Sequence, residues 1–497
     1  MYADPVLLLL LACCQVFVLA IPPHVNKARA ITSNPSVASA TVTPTSSLSW
    51  YQFDCKAPAA TDINMPGYQR WTAMDGLGAW GDANSYWHEH ASDGVSYSEE
   101  LSYFFKGPSN INCGILADKN GCDGTGSISC NQWNHPAGYF IVSSMMLLED
   151  HFQNLYDAIP DARSAVTDQV PDITSTFSPS TTENSFKFTI DIGMMALTSF
   201  LAPWWNMFFK STVPSDLLST LKDTFNGFVS QTATLLKDES SLSDQVLGKE
   251  NNVTGQIYEL TEGWQIAIDG TVSDLFNGSA MSIGRLANAI QDGAFLQEAT
   301  FPSSVENEEF MKTALYQFLI PDAWSLSDEV VFIMDGGIDC TDNVLPSSVS
   351  AVDEYIDSDS TPLGVCIMNH AYYLVATDSI PAESCDDQNL YGSGSCTKNK
   401  FVTPYGATQL DGSSWGSLTW QAMVNSSVQS YLNNDNQNGW ATPDPTSIEF
   451  IWNMFDNGAS TPGIFNFYMC SGSEAWNNWD EHTVQNSDVK SAHYPCN

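Results

Sequence analysis

Apolar residues recur at alternating spacings of four and three from Ile141 through Met145, Leu148, Phe152 and Leu155 to Ile159, the stripe of an amphipathic helix. Val166, Val170, Ile173 and Phe177 continue the same phase beyond Pro160. Proline has no N–H to give, so the helix is expected to kink or restart there. A second stripe runs through Leu218, Leu221, Phe225, Phe228, Leu235, Leu242 and Val246, with Ser215 placed to cap it after Pro214. A third covers about 257–290 through Leu260, Trp264, Ile268, Leu275, Ile283 and Leu286. Gly263, Gly270, Gly278 and Gly284 interrupt it, which either weakens the helix or lets another backbone come close. Beyond about residue 305 the pattern changes. Val330–Met334, Tyr372–Val375 and Ile464–Met469 read as buried strands, and Ser447–Phe455 as a short helix stopped at Asn457-Gly458.

Cysteine placement turns this pattern into an architecture. After the N-terminal apolar run, Cys55, Cys113, Cys122 and Cys130 precede a long cysteine-free middle, and Cys340, Cys366, Cys385, Cys396, Cys470 and Cys496 follow it. Both groups are even, so each can close on itself as disulfides; the first four allow three pairings. The fold class expected is α+β: a central helical bundle flanked by disulfide-stapled N-terminal and C-terminal regions with short strands. The divisions fall at 50–137, 138–305 and 306–497. Residues 50–137 read as loops and short elements around two disulfides, rich in Gly, Asn, Ser and aromatics.

Disulfides imply an oxidising compartment, and the N-terminus agrees. Residues 1–20 carry a signal-peptide-length apolar run from Leu7, with Val18 and Ala20 as the small residues of a cleavage site, although Asp4 stands where a basic n-region is usual. Residues 21–49 form a Ser/Thr/Pro-rich flexible stalk; its 31–49 part holds ten Ser or Thr and no charged residue. Asn252, Asn277 and Asn425 begin Asn-x-Ser/Thr sequons, the acceptors of N-linked glycan. A secreted, extracellular glycoprotein is expected.

Charge narrows the partners. The chain has 57 acidic and 17 basic residues, a formal net charge of −40. That surface repels nucleic acid and anionic lipid. An extracellular protein or carbohydrate fits it. One exception concerns membranes. Residues 188–209 are apolar apart from Asp191 and a few small polar groups, bracketed by Lys187 and Lys210. As one helix they would extend about 33 Å, enough for a bilayer core, though Pro203 and Trp204-Trp205 suit a buried helix equally.

Candidate chemistry is sparse. His88-Glu89-His90 places two histidines on one side of a strand, where both can reach a metal with His135 or an acid as third ligand. Loop histidines explain the same residues, so neither a metal site nor a cofactor is assigned. Glu99 with Glu100, Asp335 with Asp339, and Asp480 with Glu481 offer carboxylate pairs for glycoside hydrolysis, the last beside Trp476 and Trp479. Asp335-Gly336-Gly337 is the best placed, because it ends a buried strand. Asn369-His370-Ala371 and Ser414-Trp415-Gly416 resemble the histidine strand and Ser-Trp-Gly element of papain-like proteases. No Cys-Trp nucleophile element lies upstream, and Cys366 is more simply half a disulfide, so no such activity follows.

Trp50-Tyr-Gln-Phe-Asp-Cys55, Gly107-Pro-Ser-Asn-Ile-Asn-Cys113 and His135-Pro-Ala-Gly-Tyr-Phe140, with the leader, stalk and acidity, resemble large acidic secreted proteins of filamentous fungi from families without an assigned function. The resemblance implies an extracellular location and carries no catalytic residue. The expected role is extracellular interaction, of the effector type. The alternatives are a secreted hydrolase of polysaccharide and a membrane-active protein inserting 188–209.

Overall fold

The structure is a computed structural model that describes principally residues 49–179, 253–296, 303–340, 350–385, 396–439, 447–484 and 493–496, with short breaks. The stripe at 218–246, the apolar run 188–209, residues 1–48 and the sequon at Asn252 lie outside the described residues.

The N-terminal region is more helical than its glycine-rich composition predicts. It forms α1 (Pro58–Thr61), α2 (Gly67–Ala73), α3 (Gly76–His90) and α4 (Tyr97–Phe104). Disulfides Cys55–Cys130 and Cys113–Cys122 tie it. Arg70 is buried; its guanidinium donates to the carbonyls of Ala59 (2.9 Å), Ala60 (3.2 Å) and Leu296 (2.7 Å) and lies over the Phe140 ring.

α5 (Pro136–Phe177) is one helix of 42 residues that runs through Pro160 and Pro171, so it does not restart at Pro160. The Tyr156 carbonyl, which residue 160 would normally cap with its N–H, instead accepts from Gln265 Nε2 at 3.4 Å. The predicted stripe, from Ile141 to Phe177, is buried along its length. It packs against α6 (Val253–Phe276) and α8 (Ser304–Leu326). α7 (Ala280–Ile290) follows α6 after a break at Asn277-Gly278, so the third stripe is two helices. Gly278 has φ +72°, its carbonyl accepts from Trp87 Nε1 at 2.9 Å, and a Cβ there would stand 2.6 Å from the Trp87 ring.

Gly138 works by close approach too. A Cβ at that position would lie 2.4 Å from Phe105, which follows α4. Gly138→Ala is therefore expected to push Phe105 aside and cost about 1–3 kcal/mol. A urea midpoint equal to wild type would show that this contact has slack.

The C-terminal region holds a four-stranded sheet in the order β2-β3-β1-β6: β1 (Val331–Asp339), β2 (Leu363–Ile367), β3 (His370–Ala376) and β6 (Met469–Ser471). β1 and β2 pair antiparallel with β3, whereas β6 pairs parallel with β1. A separate ribbon joins β4 (Glu383–Cys385) to β5 (Cys396–Lys398), with Cys385 opposite Cys396 in the ladder. Cys396 is disulfide-bonded, and Cys340–Cys366 and Cys470–Cys496 fasten the main sheet. The fold is thus α+β with both ends stapled.

The sheet is buried on both faces, as period-2 alternation requires. Phe332, Met334, Tyr373 and Val375 join Phe401, Ile356 and Trp479 on one side. Ile333, Tyr372 and Leu374 join the helical core on the other. Against the sheet pack α9 (Ser350–Tyr355), α10 (Trp420–Asn433) and α12 (Gly472–Val484), with α11 (Ile448–Asn457) between the last two in the chain. α11 ends at Gly458 as the sequence predicts. The strand predicted at 464–469 is not formed there except at Met469, where β6 begins and runs on to Ser471. The N–H groups of Phe465 and Phe467 instead donate to the Ser426 and Ser427 hydroxyls on α10, at 3.0 and 3.1 Å, so this stretch has no need of a strand partner. Among the described residues, no helix is long and apolar enough to cross a membrane.

Candidate functional site

β2 and β3 are joined by Met368-Asn369, both with positive φ (50° and 66°), the geometry of a tight two-residue hairpin. The turn delivers His370 to the start of β3, opposite Asp339 in the ladder, with Asp335 opposite Tyr372. Between Asp335 and Asp339 the register slips in a bulge, where Gly337 takes φ +65°. Its N–H donates to Asp335 Oδ1 at 2.7 Å. The bulge turns the carboxylate toward the imidazole, and His370 Nε2 meets the same oxygen at 2.6 Å.

A carboxylate accepts, so the hydrogen of this bond sits on Nε2, and Nδ1 is the opposite edge of the ring. Asp339 Oδ1 stands 3.6 Å from Nδ1, beyond a good hydrogen bond. The two acids flank opposite edges of one imidazole and do not converge on a point where an ion would sit. The pair is open to solvent: the side chains of Asp335 and His370 are 38% and 29% exposed, and Asp339 is 93% exposed.

Two phenols wall this cluster. Tyr372 follows His370 by two residues and so shares its face; burial, then the Asp335 and Tyr431 charges, pushes its hydroxyl up to about 12. Tyr431 of α10 is raised by burial, then by Asp335 and Glu474. Both hydroxyls therefore stay protonated donors at physiological pH. Glu474 opens α12, where its N–H is capped by Ser471 Oγ at 3.2 Å. Tyr431 also borders a small polar hollow lined by Ser427, Ser430, Gln437, Asn438 and Asn466, about large enough for one water.

The other candidates fare differently. His88 and His90 lie on α3, not a strand, so their two-residue spacing puts them on different faces. His90 stacks on Tyr86 at 4.0 Å, and His135 lies edge-on to Trp50 at 5.3 Å, with Phe104 between those two groups. Cys113, Cys122 and Glu149 lie close together, but the two sulfurs are joined, leaving one carboxylate. Glu99 and Glu100 sit in the first turn of α4, Glu100 buried. Asp480 and Glu481 lie on α12; beside them Trp479 is buried against Phe401 and Trp476 donates to the Asn399 carbonyl. Those tryptophans are packing. Trp415 packs on Phe177 and Tyr316, and Cys366 is bonded to Cys340, so the papain-like elements assemble no nucleophile. Asn277 is exposed in the turn after α6; Asn425 is half-buried within α10.

The sequence pairs Asp335 with Asp339 and sees His370 apart from both; the structure puts the imidazole between them. Tyr372 was legible from its spacing to His370. Tyr431 and Glu474, distant in sequence, left no signal.

No protein-family model and no solved structure matches this chain. Two curated proteins of Penicillium expansum do. "Probable chitinase LysM18" is 24% identical over 493 residues, covering 90% of this chain and 33% of that protein. "Secreted chitinase LysM12" is 25% identical over 478 residues, covering 86% of this chain and 31% of that protein. The chain spans about a third of the length of these relatives. They agree with the secreted fungal character read from the sequence but carry a name, where a family without assigned function was expected. The chain is thus a distant relative of fungal proteins named as chitinases, one of them named as secreted.

Proposed function

We propose that this protein works outside the cell by binding carbohydrate, specifically polymers of N-acetylglucosamine. The observation that carries the reading is the solvent-open Asp335–His370 hydrogen bond of 2.6 Å, beside the half-buried Tyr431. A neutral sugar needs such polar groups, acceptors and donors for its hydroxyl and amide groups. The names of the two relatives select the sugar. A net charge of −40 disfavours polyanions and leaves a neutral glycan unopposed.

Binding is favoured over cleavage by the chemistry of the acids. Asp335 Oδ1 is committed to two donors. Hydrolysis needs a protonated partner acid about 5–10 Å away across the bond. The described carboxyl that burial raises furthest, Glu329, precedes β1 at its other end and is buried.

Cosedimentation with colloidal chitin tests the reading. His370→Ala and Asp335→Asn are each expected to weaken binding about tenfold, the loss of roughly one good polar contact. Wild-type protein that stays in the supernatant removes the proposal. Release of reducing sugar by wild type but not by Asp335→Asn would replace it with hydrolysis.

A further inference from the structure

The sequons at Asn277 and Asn425 are equivalent as motifs, and the structure separates them. Asn277 stands in the non-helical turn between α6 and α7. Its Oδ1 accepts from the Ser279 N–H at 2.8 Å and from Ser282 Oγ at 2.6 Å. The first bond closes an Asx turn over Gly278, which takes φ +72°. With Oδ1 engaged twice, the amide is held in one orientation, and Nδ2 has no protein partner among the described residues. Asn277 and Ser279 are both exposed.

Asn425 has the opposite setting. It lies inside α10, where each N–H is spent on the carbonyl four residues back, so an Asx turn there requires the helix to open. Its Oδ1 accepts from Gln429 Nε2 at 2.9 Å, one turn further along the same helix. The hydroxyl of this sequon is out of reach. Ser427 is 2% exposed, donates to the Met423 carbonyl at 3.0 Å and accepts from the Phe467 N–H at 3.1 Å.

We propose that Asn277 carries an N-linked glycan in the folded, exported protein and that Asn425 does not. The donor is an oligosaccharide carried on a lipid diphosphate. Nδ2 attacks C1 of the first sugar, and the N–C1 bond forms as the bond from C1 to the diphosphate oxygen breaks. The lipid diphosphate leaves with the electron pair, and one Nδ2 proton passes to a base of the transferase. That enzyme has to reach the amide nitrogen and the hydroxyl two residues on together, on an exposed surface. Residues 277–279 alone set the turn, so it is open to the chain before folding and to the finished fold. A copy modified at Asn425 before folding fares differently. α10 packs on β2 and β3, and its Ser426 and Ser427 hydroxyls hold the N–H groups of Phe465 and Phe467. A bulky sugar on the half-buried Asn425 opposes that docking, so such copies do not reach the native state. The assignment concerns sugar attached rather than sugar bound, and it stands whether or not the protein binds chitin.

The test is site mapping on the full chain, expressed in a fungal secretory host and purified from the medium. A peptide N-glycosidase acting in heavy-oxygen water converts each glycosylated asparagine to labelled aspartate, which fragmentation mass spectrometry places by residue. Wild type should carry label at Asn277 and none at Asn425. Asn277→Gln should lower the intact mass by one glycan. Ser279→Ala should leave Asn277 unlabelled with the asparagine untouched, and Ser279→Thr, which keeps the hydroxyl, should restore the label. Circular dichroism checks that each variant is folded, and the wild-type map alone decides if a variant is not. Unlabelled Asn277 in folded wild type overturns the proposal. Label at Asn425 matching that at Asn277 overturns the distinction drawn from the fold.

Discussion

Replacing Cys55 and Cys130 together by serine is expected to lower the stability of the N-terminal region by about 4 kcal/mol. The bond closes a sequence separation of 75 residues that contains all of α1 to α4. Chain entropy makes long loops the ones a cross-link restrains most, and the shorter Cys113–Cys122 ring, separated by 9, lies inside this one and restrains little outside itself. α1, α2 and α4 have no more than eight residues each and cannot persist alone, so freeing them lets the packing of Trp50 on Phe104 and Phe105 and the Arg70 anchor come apart together. Hydrogen exchange resolves the effect by region. α3 and α4 should lose protection by a factor on the order of a thousand, the equivalent of that free energy, while β1 and β3 keep theirs. Unchanged exchange in α4 would mean that packing against α5 already fixes the region.

The second expectation concerns pH. Glu329 is buried between α8 and β1, and burial, assisted by the Asp378 and Asp328 charges, lifts its carboxyl to about 7 despite hydrogen bonds from Tyr405. The folded state therefore holds this proton to higher pH than the unfolded chain does. The stability tied to the protonated acid is complete below about 4.5, declines as pH rises toward 7, and is lost above it. Screening and local water reduce the full linkage value, leaving about 2 kcal/mol. Glu329→Gln cannot ionise. Relative to wild type it should be about 2 kcal/mol more stable at pH 8 and close to equal at pH 4. The difference between the two proteins is the quantity to follow by urea unfolding, because the other acids act on both alike. A difference that does not change with pH would show that Glu329 ionises freely in the fold.

How much of this was legible from residues depends on what holds each element. The α5 stripe was readable because its periodicity is the cause of its burial. The continuous apolar runs of β1 and β3 were readable too, because a strand covered on both faces is apolar on both. α3 was not. Gly76, Gly78 and Gly81 argue against helix, yet Gly76 lies under the Trp71 ring and Gly78 under the Asp75 carboxylate that caps the helix. There glycine serves close approach rather than a break, and only tertiary neighbours reveal the difference. Residues 464–468 failed in the opposite direction: an apolar run promised a buried strand, but serine hydroxyls from α10 took the N–H groups of Phe465 and Phe467. At the site, Asp335 was singled out as following a buried strand, but β1 runs on through it to Asp339, and what exposes its carboxylate is the bulge after it. Its partner His370 depended on a hairpin turn, Met368-Asn369, whose first residue is not one that favours positive φ.

β6 has a consequence for biosynthesis. It joins β1 from residue 469 onward, long after β1 has left the ribosome at 339. At ordinary translation speed the flank of β1 that awaits β6 stays unfilled for on the order of ten seconds. During that interval its bare amides are a template that another nascent copy can occupy. Chaperone demand in the producing cell should therefore peak late in translation.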